Sequence, residues 1–170
     1  MEVIVKAIMS GLLFPAFLGT SFVLVVMELI TGSNPTPWLE LAFALPLSLY
    51  YCLAFLVLQA NINYKPTHFV LDLLISFLAL YGFILLGFGT LNATSPNFTL
   101  FFKIVALAII LELIWGLAAN RLTWPRGIIG FGVAAILLIA SLYTPLHTLV
   151  LLTLAIMLLG LVCLYGWKSI

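Results

Sequence analysis

Residues able to do chemistry are few in this chain, and the setting of one of them raises a question. In IILELIWGLAANRLTWPRG, residues 109 to 127, a single acid, Glu112, stands inside an apolar run ahead of Arg121, Arg126 and the pair Trp124-Pro125. An ionisable group at mid-membrane costs about 2.5–3.5 kcal/mol on insertion scales, so it needs a partner or a purpose. Glu112 is expected to be a binding or proton-relay carboxylate facing a cavity, with Trp115 one turn away as a wall and Gly116 leaving room beside it. The competing reading is a neutral carboxyl hydrogen-bonded across a helix interface, the form in which an acid sits in hydrocarbon without a counter-charge.

A second group of charges lies elsewhere. Glu28, Glu40 and Lys103 fall near the ends of apolar segments, and the topology derived below puts all three at the outer face. There they could form a small cluster at the entrance to a Glu112 site, with Lys103 pairing one or both acids. Asp72 falls on the inner side, within reach of Lys65, Arg121 or Arg126. The plainer alternative for all of these is an interfacial ion pair or a snorkelling side chain. The expected ligand-binding set is therefore Glu112, Trp115, Glu28, Glu40 and Lys103.

Other chemistries find little support. Ser10, Ser21, Ser48, Ser76 and Ser141 lie in apolar segments, but no GxSxG elbow accompanies them and no histidine is at mid-depth to act as base, so no catalytic residue is assigned. His68 and His147 fall at opposite membrane boundaries, which disfavours a bis-histidine haem or a multi-histidine metal site, and no cofactor is expected. Cys52 and Cys163 form neither a CxxC motif nor a metal-ligand spacing. Both belong to the inner half and could meet as a thiol pair, although buried cysteine usually behaves as a small hydrophobe. No P-loop or comparable nucleotide motif is present, so the chain cannot be an ATP-driven pump by itself.

The elements that must hold these residues follow from composition. The chain has 170 residues, 65% hydrophobic and 6% charged, with a mean hydropathy of +1.34. A soluble domain would have about a quarter of its residues charged. The reading is an all-α integral membrane protein. A net charge of +1 leaves no basic patch to track phosphates, which excludes nucleic acid as a partner.

A transmembrane helix needs about 20 mostly apolar residues. Six segments meet or approach that, near 4–30, 38–60, 69–91, 99–119, 127–144 and 148–167, forming one compact helical domain over 1–170. The first imitates a secretory signal, but its apolar run continues too far for an h-region of about 7–15 residues and is read as a retained span. The fifth segment is the shortest and ends at YTPLHT, where Pro145 favours a tight hairpin into the sixth. A five-span variant would make these two a re-entrant or tilted pair.

Orientation comes from the basic residues, which are retained on the cytoplasmic side. Lys6, Lys65, Arg121 with Arg126, and Lys168 fall on one side of a six-span arrangement, and the first, third and fifth loops carry none. Both termini are then cytoplasmic, in a membrane of the prokaryotic plasma (inner) type. Trp38, Trp124, Trp167, Tyr64 and Tyr143 sit at span ends, as interfacial aromatic belts require. Two sequons, at Asn92 and Asn97, lie in a short outer loop and are read as chance. Gly11, Pro15 and Gly19 recur every four residues, a pattern that lets helices approach closely. Pro15 and Pro46 fall mid-span, where a kink could free carbonyls to line a cavity.

No motif identifies a family. Six spans in so short a chain resemble, in architecture alone, the small substrate-binding membrane subunits of vitamin transporters. The expected function is accordingly a transporter, or a substrate-binding transporter subunit, that holds a small solute at Glu112. One alternative is a non-catalytic structural or regulatory subunit packed against a membrane-protein partner. A further one is an intramembrane enzyme acting on a lipid or quinone.

Overall fold

The computed structural model describes residues 37–60, 66–87, 97–118, 123–143 and 145–166, with isolated positions between Ile4 and Ile30 that are helical. Among the described residues there are five bounded helices and no strand. They are α1 (Pro37–Ala60, 24 residues), α2 (Pro66–Gly87, 22), α3 (Phe98–Ala118, 21), α4 (Trp124–Ala140, 17) and α5 (Thr148–Gly166, 19). At 1.5 Å per residue they extend about 36, 33, 31, 26 and 28 Å.

Their ends have local causes. Pro37 and Pro66 are the first residues of α1 and α2, where the missing N–H of proline costs nothing and its fixed φ favours the helix. Asn97 caps α3: its side-chain Oδ1 accepts the Leu100 N–H at 3.0 Å. Helix α4 starts at Trp124, with Thr123 extended before it and Pro125 in its first turn. It closes at Ser141, whose Oγ donates to the Leu138 carbonyl at 2.6 Å while its N–H donates to Leu137 at 2.9 Å. His147 then caps α5, its Nδ1 accepting the Leu149 N–H at 3.3 Å.

The helices close a ring in chain order. Helix α1 packs on α2, α2 on α3, α3 on α4, α4 on α5, and α5 back on α1. One contiguous core fills it, with Leu39, Phe43 and Leu47 from α1, Ala79 and Leu85 from α2, and Phe101, Phe102 and Val105 from α3. Val133 and Leu137 of α4 and Leu154 and Leu158 of α5 complete it. Helix α2 comes close to α3 at Gly82, where an added Cβ would lie 3.5 Å from the Phe101 ring and 3.7 Å from Val105. Pro46 lies inside α1 and is fully buried; it withholds the N–H that would bond the Ala42 carbonyl, one turn before Tyr50.

Outward faces are as apolar as inward ones. In α4 the buried positions include Val133 and Leu137, while Ile128, Ile136 and Ile139 are exposed at 67%, 46% and 56%. Among the described residues one helix, Phe98–Leu117, is long and apolar enough to cross a membrane. The other apolar stretches, Leu41–Tyr50, Leu73–Gly82, Trp124–Ala140 and Thr148–Leu164, are shorter. The first expected span, with Glu28 and Gly11, lies largely outside the described residues; Pro15 and Gly19 are described and exposed.

Candidate functional site

The site is set by how α1 meets α3 across the ring. At one end Phe43 of α1 sits among three rings of α3, with centroids 5.5 Å from Phe98, 5.3 Å from Phe101 and 5.6 Å from Phe102. The Phe101 and Phe102 contacts are edge-on, the geometry that the aromatic quadrupole favours. Phe43, Phe101 and Phe102 are fully buried. Farther along the same two helices, the Tyr50 phenol donates towards Glu112 Oε2 at 3.5 Å. Position 43 thus faces 98 to 102 and position 50 faces 112, so α1 and α3 run in the same direction.

Glu112 lies about 9 Å from the C-terminal end of α3 and Tyr50 about 15 Å from that of α1. Both side chains are half-buried. At 3.5 Å this contact is at the long end for an O–H···O bond.

Helix α2 carries a buried hydroxyl, Ser76, near its middle. Gly82 stands beside Phe101 and Val105, so in the antiparallel α2/α3 pair Ser76, six residues earlier, falls opposite about position 109, within a turn of Glu112. Ser76 is 0% exposed. Trp115 and Gly116 follow Glu112 within about one turn, and both are half-buried. The α1/α3 contact thus brings a carboxylate and a phenol together, with an indole one turn along α3. These groups can accept hydrogen bonds and attract positive charge.

The remaining expected residues fall apart from this pair. Lys103 is exposed on α3, about 14 Å before Glu112. Glu40 occupies the first turns of α1, and α1 and α3 being parallel puts it at the same end of the ring as Lys103; its side chain, like that of Asp72 and the whole of Glu28, lies outside the described residues. Cys52 and Cys163 are both exposed and neither is in a disulfide. No group of three or more His, Cys, Asp or Glu able to hold a metal occurs among the described residues. Asn97, read above as a chance sequon, has a structural duty as the α3 cap.

Tyr50 is the residue that the sequence reading did not single out. A signal was available: the phenol of a mid-helix tyrosine in an apolar segment must find a polar partner, and Tyr50 lies at nearly the depth of Glu112. Comparison with known proteins finds no matching family model, no matching curated protein and no matching solved structure.

Proposed function

We propose that this chain is a six-span membrane protein that acts as a transporter, or as the substrate-binding subunit of one, and holds a small solute at Glu112. The membrane part is supported by apolar outward faces. In water such faces would far exceed the few hundred Å² of contiguous apolar surface that soluble monomers tolerate. Only 28% of the most apolar stretch of α3 is buried, whereas the core helix of a soluble bundle would be mostly buried. The exposed aromatics Trp38, Trp124 and Tyr143 stand at helix ends, as an interfacial belt would. With α1 and α3 parallel, their C-terminal ends lie at one end of the ring, and Lys65 and Arg121 follow those ends in sequence, which supports a cytoplasmic assignment for that end.

The observation that carries the functional part is the Tyr50–Glu112 contact across the ring, at a depth where a carboxylate is costly. The test is an experimental structure of the protein in lipid nanodiscs beside that of Glu112→Gln. Non-protein density between Tyr50 and Glu112 that disappears in the variant supports the reading, and a continuous protein contact there in both sinks it.

The non-catalytic subunit is the second reading, favoured by Gly19, Gly132 and Gly160. Each has open space where a Cβ would project, so another helix could approach closely there. Native mass spectrometry from the source membrane tests it: a stoichiometric partner lost on Gly132→Leu supports this reading, and a chain that runs alone removes it.

A further inference from the structure

We propose that the outward face of α3 holds a phospholipid with a net negative headgroup, its phosphate on the Lys103 ammonium and an acyl chain along Leu107; this rests on the membrane reading above. Lys103 stands about 7.5 Å inside the end of α3 that begins at Phe98. Phe101 and Phe102, just before it, are fully buried against Phe43, so rings fill the inward side at this level. Lys103 is exposed, and so are Leu107 at 44% and Ile114 at 54%. At 3.6 residues per turn these three positions share one outward stripe. Among the described residues, Lys103 makes no hydrogen bond or ion pair.

An ammonium on a lipid-facing stripe needs a counter-charge or a path to the interface. Helical side chains lean towards the helix N-terminus, so the Lys103 stem runs towards the Phe98 end and its head can reach the headgroup layer. Helix α3, about 31 Å long, matches a hydrocarbon core of about 30 Å, which puts that layer at Phe98. Three N–H donors and no acceptor suit the ammonium to phosphate oxygens. A zwitterionic lipid brings its own cation to its phosphate, whereas a net negative headgroup leaves a charge for Lys103 to meet. From Phe98 to Leu107 is about 14 Å, close to the depth of one leaflet. The stripe therefore pairs a cation at headgroup level with an apolar track one leaflet long, the outline of one phospholipid.

The experiment uses the full chain in nanodiscs of equimolar phosphatidylglycerol and phosphatidylcholine with the same acyl chains. A photo-crosslinker is placed on the stripe by Leu107→p-benzoylphenylalanine, and mass spectrometry identifies the lipid captured. The control is Ile156→p-benzoylphenylalanine, on an exposed position of α5 at 68% and at similar depth, about 12 Å from the start of that helix. At Leu107, phosphatidylglycerol is expected about fivefold in excess, the effect of one basic residue at an anionic lipid surface; at Ile156 the ratio should be near one. Lys103→Gln should bring the Leu107 ratio to about one and Lys103→Arg should keep it. Unchanged capture at Ile156 in the same variants shows that they remain folded and inserted. Inorganic phosphate should reduce the ratio no more than chloride of equal ionic strength, and a selective loss would assign the cation to free anions and overturn the lipid. A ratio near one at Leu107 in the unaltered Lys103 protein, an excess that survives Lys103→Gln, or capture of a protein chain in place of lipid at Leu107 overturns the proposal and leaves the membrane reading standing. Absence of lipid capture at both positions overturns the membrane reading and the proposal with it.

Discussion

Two regions of the α1/α3 contact do different work with the same pair of helices. At one end Phe43 is surrounded by Phe98, Phe101 and Phe102, rings 5.3–5.6 Å away, and no polar atom has to be satisfied. About ten residues along α3, Tyr50 and Glu112 face each other at 3.5 Å. The aromatic end fills volume and fixes which residues lie opposite one another. The polar level inherits that register, and a desolvated carboxylate there is stable only with partners.

This contrast can be broken by substitution. The largest effect is expected for Phe101→Ala, which removes a fully buried ring and should cost about 3–5 kcal/mol in reversible unfolding from mixed micelles. A cost near zero would mean that the aromatic end does not hold the register. Gly82→Leu is next, at about 1–3 kcal/mol, since the new side chain would project into Phe101 and Val105 from only 3.5 Å. Gly132→Leu, with open space around its Cβ, should leave the unfolding free energy of the isolated protein nearly unchanged in the same assay.

Asn97→Ala should cost about 1 kcal/mol through loss of the α3 cap, measurable in the same unfolding titration. Smallest in stability are Tyr50→Phe and Glu112→Gln, each expected to shift unfolding by less than about 1 kcal/mol, while solute binding is weakened by the first and abolished by the second. If Glu112→Gln instead unfolded the protein as severely as Phe101→Ala, the polar level would belong to the structural region and the division proposed here would fail.

Legibility from sequence differs in the same way between regions. Helical character was readable because long apolar runs are punctuated by Pro, Gly and Asn, and α1 to α5 follow those runs. Helix ends were less so. Helix α4 begins at Trp124, ahead of the glycine at 127 where the apolar span was placed, because proline is welcome in a first turn. Asn97 looked like a modification motif, and its capping duty appears only once Leu100 turns back over it. Glu112 stood out as the deepest charge, since depth is a one-dimensional property of a helix. Its neighbour Tyr50 did not, since in segments where nearly every position is apolar, periodicity gives no facing direction.

The sequence by itself determined that this chain would be helical, that its surface would be as apolar as its interior, and that one carboxylate would lie deep in a helix. These follow from composition and from the rise of 1.5 Å per residue, which need no knowledge of neighbours. Only the tertiary structure decided that the five helices bounded among the described residues close a ring in chain order, and that residues 62 positions apart in sequence, Tyr50 and Glu112, come to face each other across it. The physical reason is that rotation of a helix about its axis is set by packing: the rings around Phe43 and the close approach at Gly82 select one register among many that the apolar pattern alone would allow.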